Sequence, residues 1–254
     1  IFNPFSLINA LDDRELRNYW ASSGATSLLP KFVDDMEMKM EYFDHCFIEG
    51  DTLETSDVVN GGAELFLYQS GYLTIKGYDD GVYILGFPNF EVRKALYRVV
   101  VPALTMKSNS EVVSAQSFLR KMMQDGNTAE AKKALKALIA DVPYSNKKMA
   151  SMDMEERYRL IMSTIFRALG FRVEVERMLA TGRIDMIVEV PSFIYVLELK
   201  LSNNGGISAA ESQIKEKSYT EPFKADKRKV IALAVELDET GKGLIDWKEV
   251  DESL

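Results

Sequence analysis

The chain has 254 residues and a mass of 28.7 kDa, and 46% of its residues are apolar, which is enough for one large hydrophobic core or two smaller ones. Its formal net charge of −8 argues against a uniformly basic nucleic-acid-binding coat. The single cysteine, Cys46, excludes an internal disulfide framework and a cysteine-rich zinc site, and the single histidine, His45, argues against a histidine-based catalytic centre. Any catalysis should therefore rest on carboxylates and lysines.

Neither a membrane-spanning run nor a signal peptide is visible, since no apolar stretch approaches the roughly 20 residues that a spanning helix needs. A cytoplasmic location without a membrane partner is therefore expected. The chain opens on "IFNPFSLINAL" rather than on Met, which indicates a fragment of a longer protein. Residues 1–144 carry 14 basic and 20 acidic residues, whereas residues 145–254 carry 17 and 19, so a local basic surface is feasible in the second half.

The first half, residues 1–144, is predicted to be mostly helical with one β-hairpin. Helices are expected at "NALDDRELRNYW", at "TSLLPKFVDDMEMKMEYFD", over residues 62–69, at "FEVRKALYRVVVPAL" after a cap at Asn89, and over about residues 110–124 and 128–139. The hairpin is "GYLTIKGYDDGVYILGF", with "DDG" as the turn. Helices followed by a hairpin resemble a winged-helix arrangement. Its acidic charge favours packing against a neighbouring domain over DNA binding.

The second half, residues 145–254, is predicted to be a separate domain after a boundary at "DVPYSNKKMASMD". Its helices are expected at residues 152–169, closed by Gly170, and at about residues 208–219. Its strands are expected at "FRVEVERML", "RIDMIVEV", "FIYVLELKL" and "KVIALAVEL". The order is α-β-β-β-α-β, with two strands apolar enough to be central in a sheet that is covered on both faces.

Three charged residues lie within the two most apolar strands of this domain. Since side chains alternate along a strand, Glu198 and Lys200 share one face of the third strand. If the second and third strands form a hairpin through Pro191 and Ser192, paired positions sum to about 383, and Asp185 lies opposite Glu198. Two carboxylates and a lysine are then predicted to converge at one end of the sheet.

Burying these groups without partners would be unfavourable, because an ionised side chain loses several kcal/mol of hydration in an apolar setting. A divalent metal removes that difficulty, since Mg²⁺ prefers oxygen ligands and commonly binds one or two carboxylates together with waters and phosphate oxygens. Lys200 would then position or activate water, or stabilise charge on a phosphodiester.

The motifs "GRIDMIVE" and "LELK", within α-β-β-β-α-β, resemble the PD-(D/E)XK nuclease superfamily. Within it, the sequence is similar to the C-terminal nuclease-like module of bacterial and archaeal AAA-ATPase-like proteins, and "QIKEKSY", "NPFSLINALDDRELRNYW" and the hairpin share this resemblance. The resemblance implies a restriction-endonuclease-like fold, a metal-dependent nuclease that uses Mg²⁺ or Mn²⁺, nucleic acid, with DNA favoured, as partner, and an AAA-ATPase domain upstream of this fragment.

The resemblance also implies roles for individual residues. Asp185 and Glu198 match the metal ligands, and Lys200 matches the catalytic lysine. Glu155 matches the acid of the first helix, with a place in the catalytic and metal-binding set; Glu156 is the rival for that role. Helical spacing of apolar residues turns Glu155 toward the sheet. Gln213 and Lys217 match the auxiliary polar pair near the site.

Simpler interpretations stay open for each of these residues. Glu198 and Lys200 could form a salt bridge at an edge strand, Arg183 could neutralise Asp185, and Gln213 and Lys217 could be a solvated helix face. The module could keep the fold and bind nucleic acid or protein without cleaving anything. "ETGKGL" lacks the pattern of a phosphate-binding loop, so no ATP site is expected in this chain. The sequence leaves the substrate's strand structure and a homo-oligomeric state open.

Overall fold

The protein is described by a computed structural model that covers residues 4–15, 19, 42–54, 62–105, 107–140 and 152–251. Contacts divide the chain into two compact units, residues 1–100 and residues 101–254. The predicted boundary segment, "DVPYSNKKMASMD", lies outside the described residues except for its last two, and the domain limits of residues 1–144 and 145–254 stay a prediction. Within the described part of the chain, no helix combines the length and apolar character needed to cross a membrane.

The first unit contains helices and a small antiparallel sheet. Its helices are α1 (Pro4–Asp13), α2 (Gly50–Leu53), α3 (Gly62–Gln69) and α4 (Phe90–Thr105), the last of which continues into the second unit, and its strands are β1 (Cys46–Glu49), β2 (Thr74–Asp79) and β3 (Val82–Gly86). The strand order is β1-β3-β2. The predicted hairpin is confirmed as β2–β3. Asp80 and Gly81 both have positive φ angles in its turn, as tight hairpin turns require.

Two predictions for the first unit differ from the structure. The first helix begins at Pro4 and ends at Asp13, because Arg14 adopts a left-handed φ of 54°, and most of the rest of the predicted segment lies outside the described residues. Strand β1 was not predicted, since four residues give too short a run for alternation to be recognised. Most of the predicted helix at "TSLLPKFVDDMEMKMEYFD" lies outside the described residues.

The helices that follow the hairpin begin and end at recognisable caps. Asn89 accepts a 2.9 Å hydrogen bond from the backbone N–H of Val92 and caps α4, as predicted. Helices α5 (Asn109–Asp125) and α6 (Thr128–Ile139) match the two predicted segments within about one residue at each end. Gly126 ends α5 in the left-handed conformation and lies against Phe193, so closely that a Cβ atom there would be 2.4 Å from the ring.

The second unit is built on a five-stranded mixed sheet. Its strands are β4 (Arg172–Leu179), β5 (Gly182–Glu189), β6 (Phe193–Leu201), β7 (Lys229–Leu237) and β8 (Leu244–Val250), and its later helices are α7 (Met154–Ala168) and α8 (Gly206–Lys217). The spatial order follows the sequence, β4-β5-β6-β7-β8. Only β6 and β7 pair in parallel, since α8 connects them as a crossover. The predicted α-β-β-β-α-β order is confirmed, and the fold is mixed α+β.

The fifth strand, β8, was missed from the sequence. Its buried residues are Leu244, Trp247 and Val250, which are three apart and follow a helical rather than an alternating pattern. The register of β7 and β8 shifts between Glu236 and Leu237, and this irregularity disturbs the alternation.

Apolar side chains cover both faces of the sheet around β6. Ile194 and Val196 lie in one buried cluster with Ala210 and Ile214 of α8. Tyr195, which alternation places on the opposite face, donates a 2.6 Å hydrogen bond to the carbonyl oxygen of Met123 in α5. The central strands are therefore shielded from water over most of their length, and a charged group on them is placed in a low-dielectric environment.

Candidate active site

The register of β5 and β6 brings two carboxylates together. The last described pair of this ladder is Met186 with Leu197, whose positions sum to 383, and the next position would set Asp185 opposite Glu198, as predicted. The strands stop pairing there, and Oδ2 of Asp185 accepts a 2.8 Å hydrogen bond from the backbone N–H of Leu199. Asp185 is only 3% exposed, so its carboxylate is held within the sheet rather than in solvent.

Lys200 lies two residues after Glu198 on the same strand, β6. Its Nζ atom lies 2.7 Å from Oε1 of Glu198, and the lysine side chain is 16% exposed whereas that of Glu198 is completely buried. Strand β6 is the third of five, with β5 on one side and β7 on the other. The simpler interpretation is right about the salt bridge between Glu198 and Lys200 but wrong about its place, because this pair lies on the central strand and not on an edge strand.

The second oxygen of Glu198 has no hydrogen-bond partner. Oε2 is buried, and none of the described residues offers it a donor. Burial and the neighbouring carboxyl group of Asp185 raise the pKa of Glu198 to about 8, although Lys200 opposes the shift. A buried carboxylate oxygen without a donor is a position that a cation can fill, since burying such an oxygen unpaired is unfavourable.

Lys200 remains a cation in this environment. Burial alone would lower the pKa of its ammonium group, but the hydrogen bond to Glu198 and the negative charges of Glu198, Asp185 and Glu155 together raise it. Lys200 therefore carries a proton at neutral pH and can donate hydrogen bonds.

Glu155 reaches the neighbourhood of this group from helix α7. Asp153 caps the helix by accepting a 2.8 Å hydrogen bond from the backbone N–H of Glu156. Glu155 is half-buried whereas Glu156 is exposed, so of the two acids Glu155 is turned toward the protein interior. Burial and the charge of Asp185 raise the pKa of Glu155, and Lys200 acts on it in the opposite direction. Of the two acids, Glu155 is thus the one that interacts electrostatically with Asp185 and Lys200.

Gln213 is held by a tyrosine that sequence reasoning did not single out. Its Nε2 atom donates a 2.9 Å hydrogen bond to the hydroxyl of Tyr219, and that hydroxyl donates a 2.7 Å hydrogen bond to the carbonyl oxygen of Arg183. Tyr219 is fully buried. Gln213 therefore fixes the start of strand β5 through Tyr219 rather than pointing freely toward a ligand.

Lys217 lies near the same strand without a described ion pair. Its Cδ and Cγ atoms lie 3.5 and 3.6 Å from where a Cβ atom of Gly182 would be, and the hydroxyl of Tyr219 would be 3.3 Å from the same point. The backbone oxygen of Lys217 accepts a 3.0 Å hydrogen bond from the Thr181 hydroxyl. The helix end is thus tied to the turn before β5, and the lysine stem passes over Gly182. The sequence "QIKEKSY" shows only that the tyrosine follows the helix end and does not indicate its contact with Arg183.

The remaining alternatives are decided by contacts elsewhere. Arg183 forms an ion pair of 2.7 Å with Glu176 and not with Asp185, so it does not neutralise the site. His45 is exposed and contacts the Phe47 ring edge, and Cys46 is buried.

The donor set fits a hard divalent cation bound by few protein ligands. Among the described residues, no group of three or more His, Cys, Asp or Glu side chains is arranged to hold a metal ion. Asp185 and Glu198 nevertheless offer buried carboxyl oxygens on adjacent strands, and Oε2 of Glu198 has no donor among the described residues. Mg²⁺ commonly takes one or two carboxylates and completes its shell with water and phosphate, so two ligands suffice.

A mixed sheet flanked by helices, with a carboxylate on one strand and Glu-x-Lys on the next, defines a restriction-endonuclease-like fold. Comparison with protein families agrees, because residues 153–247 match the PD-(D/E)XK nuclease superfamily and form a domain of that superfamily. The matched segment runs from the cap of α7 to Trp247 in β8 and contains all of the candidate site residues.

A relative is known from Azotobacter chroococcum mcd 1, described as "Uncharacterized protein in vnfD 5'region". It is 25% identical to this chain over 268 residues, covering the whole of this chain and half of the relative. The chain thus spans half the length of this curated relative. No solved structure matches the chain.

Proposed function

We propose that the domain of residues 153–247 hydrolyses phosphodiester bonds of nucleic acid, with DNA as the expected substrate and Mg²⁺ or Mn²⁺ as cofactor. The observation that carries the proposal is the convergence of two buried acids from adjacent strands, Asp185 held by the Leu199 N–H and Glu198 bonded to Lys200. The match to the PD-(D/E)XK nuclease superfamily supports this chemistry.

The cation would be held by Asp185 and Glu198, with Glu155 as the third acid. The buried, unpartnered Oε2 of Glu198 supports this assignment, because a carboxylate oxygen is the ligand type that Mg²⁺ and Mn²⁺ select. When bound, the metal supplies a Lewis acid that polarises the phosphodiester and makes water a stronger nucleophile. The Leu199 N–H fixes the direction of the Asp185 carboxylate, so one of its ligating groups is preorganised.

Lys200 would orient the attacking water and stabilise negative charge on the phosphodiester. Because its pKa is raised, it keeps its proton at neutral pH and acts as a donor rather than as a general base. The hydrogen bond to Glu198 fixes the stem of the lysine, and the side chain's partial exposure leaves its ammonium group able to reach a substrate.

Cleavage assays on plasmid DNA, oligonucleotides and RNA, with Mg²⁺ or Mn²⁺, test the proposal directly. We expect cleavage by the parent chain and a loss of at least about 100-fold in Asp185→Ala and Lys200→Ala, since each removes a group that acts on the reacting phosphate. Glu189→Gln and Lys229→Ala are matched controls, because these residues carry the same charges on the same sheet at its opposite end. Both controls should cleave like the parent, and EDTA should abolish cleavage.

Equal cleavage by the parent, Asp185→Ala and Lys200→Ala would contradict the proposed mechanism. No cleavage by the parent on any of these substrates, with nucleic-acid or protein binding retained, would instead establish the non-catalytic binding module. Binding is measured in EDTA, where hydrolysis cannot occur, so binding and cleavage are observed independently of each other.

The region of residues 1–144 is proposed to couple the nuclease domain to an AAA-ATPase-like domain elsewhere in a longer protein. The resemblance of its helices and of the β2–β3 hairpin to such proteins, with a winged-helix-like arrangement, supports this. A test is whether ATP changes the cleavage rate of the longer protein and not that of this chain.

A further inference from the structure

Three charged side chains form a cluster beside the candidate site. The carboxylate of Glu176 in β4 forms ion pairs with Arg183 of β5 and Arg159 of α7. Its Oε1 atom lies 2.7 Å from Nη1 of Arg183 and 3.2 Å from Nη2 of Arg159. One carboxylate oxygen thus joins guanidinium groups from two other elements, and the cluster keeps one net positive charge.

The register of β4 and β5 places this cluster next to the candidate ligands. The residues on either side of Glu176 pair with the residues on either side of Asp185, so the two acids lie across from each other. Arg183 precedes Asp185 by two residues, which puts both on the same face, roughly 6.6 Å apart along the strand. Arg159 follows Glu155 by one helical turn and acts on its charge. Both arginines therefore border the acidic group from different sides.

Glu176 adopts an unusual backbone conformation to make these contacts. Its φ angle is 53°, in the left-handed region, although it lies within a strand and is not glycine. Such a residue is uncommon, and the conformation costs on the order of 1 kcal/mol or more. Glu176 is also absent from the ladder of β4–β5 pairs. The protein therefore maintains a locally unfavourable conformation at the position where the carboxylate holds the two arginines.

The two arginines differ in their access to a ligand. The side chain of Arg183 is 48% exposed, whereas that of Arg159 is 13% exposed. Arg183 can therefore bind an incoming group while Arg159 stays behind it. A guanidinium group offers five N–H donors in a planar fork that suits phosphate, so one bond to Glu176 leaves donors free. Glu155, Asp185 and Glu198 repel a polyanion, and a nearby cation is needed to hold one.

We propose that Arg183, braced by Glu176 and Arg159, binds a backbone phosphate of the nucleic acid beside the phosphodiester at the candidate site. This inference rests on the proposed function, since it names how that site holds its substrate. A phosphate contact of this kind fixes the register of the strand and carries no base specificity. Arg183 is thus a substrate-binding residue, and Glu176 and Arg159 are positioning residues.

The test is binding of a fluorescein-labelled DNA oligonucleotide, single- or double-stranded, to the full chain in EDTA, measured by fluorescence anisotropy at several salt concentrations. We expect Arg183→Ala to weaken binding about tenfold and to reduce the slope of log K against log salt by about 0.9 for duplex or 0.7 for single-stranded DNA, as the loss of one phosphate contact requires. Arg172→Ala is the matched control. Arg172 lies on the same strand pair at the opposite end of the sheet and also pairs with one glutamate. The Arg172→Ala variant should bind the oligonucleotide as tightly as the parent does.

Unchanged binding by Arg183→Ala, or an equal loss in Arg172→Ala, would overturn the proposal, and so would a parent that binds neither oligonucleotide. Arg183→Gln serves as a second variant if the alanine variant has a lowered thermal midpoint. Because the readout needs no metal and no cleavage, its failure is distinct from failure of the nuclease proposal. A parent that cuts DNA but is indifferent to Arg183 would retain the nuclease function and lose this binding site.

Discussion

The backbone N–H of Leu199 donates a 2.8 Å hydrogen bond to Oδ2 of Asp185, so a side chain on β5 replaces a main-chain acceptor where β5 and β6 stop pairing. This bond fixes the carboxylate beside Glu198 before any ligand arrives. A group that is held in place in the free protein loses little conformational entropy on binding a cation.

Divalent cations should stabilise the protein through Glu198. A ligand present at 100 times its dissociation constant stabilises the folded state by about 2.7 kcal/mol, so Mn²⁺ should raise the thermal midpoint of the parent by several degrees. Glu198→Gln should lose this response, because it removes the negative charge next to the buried oxygen. Differential scanning fluorimetry at pH 8.5, with and without Mn²⁺, measures the effect.

Glu189→Gln is the control for that experiment. It neutralises a carboxyl group on β5 at the end of the sheet away from Asp185, so its Mn²⁺ response should match that of the parent. An undiminished response in Glu198→Gln would show that Mn²⁺ binds elsewhere.

The metal-free protein should lose stability as the pH rises through the range in which Glu198 titrates. The pKa of this group is raised in the folded state to about 8, from an ordinary value of 4.5, so its stabilising contribution is complete below pH 4.5 and is lost by about pH 8. Glu198→Gln removes this dependence. We expect the midpoint of the variant minus that of the parent, in EDTA, to increase from pH 5 to pH 9 by an amount equivalent to about 1–3 kcal/mol.

A difference that is constant between pH 5 and pH 9 would show that the Glu198 pKa is not raised. The comparison with the variant matters, because Glu155, whose pKa is also raised, would otherwise contribute to the same dependence on pH.

Removing the hydroxyl of Tyr219 should reduce both stability and cleavage. Tyr219→Phe leaves the carbonyl oxygen of Arg183 and the amide of Gln213 without this partner, at an expected cost of about 1–3 kcal/mol. Because Arg183 lies two residues from Asp185, movement of β5 should also lower the cleavage rate. Chemical denaturation and the plasmid assay measure the two effects.

Tyr195→Phe separates the two effects. Tyr195 is also buried and donates to one backbone carbonyl, that of Met123, which lies away from the charged group. Its loss of stability should be comparable and its cleavage rate normal. Equal cleavage rates in the two variants would show that Tyr219 only stabilises the fold.

Gly126 should tolerate no side chain while Phe193 is present. Gly126→Ala would place a Cβ atom 2.4 Å from the Phe193 ring at a φ of 72°, so both a clash and backbone strain are expected. We predict a loss of about 2–4 kcal/mol in the free energy of unfolding. Phe193→Leu should cost less when combined with Gly126→Ala than when made alone, because the shorter side chain relieves the clash. Strictly additive losses in this double-mutant cycle would contradict the contact.

Much of the candidate site follows from the alternation of side chains along β5 and β6. Alternation put Glu198 and Lys200 on one face, and the turn at Pro191 fixed a register that set Asp185 opposite Glu198. These relationships are local, since they involve residues within about fifteen positions of one another, and the period of two leaves little freedom. The predicted cap at Asn89 is local as well, since it bonds a backbone N–H only three residues away.

Other parts of the site could not be predicted, because they depend on contacts between distant segments. Strand β8 escaped recognition because its buried residues are three apart, and the tyrosine that holds β5 lies 36 residues from Arg183. The left-handed conformation of Glu176, with its two arginines, has no signature in a sequence that reads as ordinary strand.

The sequence by itself determined which side chains share a face, and therefore that two carboxylates and a lysine meet. The apolar runs favoured a central place for these strands, but only the tertiary structure excluded the edge-strand alternative, by placing Glu198 and Lys200 on β6 between β5 and β7, where Glu198 is completely buried. The physical reason is that side-chain direction is set by the backbone of one strand, whereas burial is set by whatever neighbouring strands and helices the rest of the chain supplies.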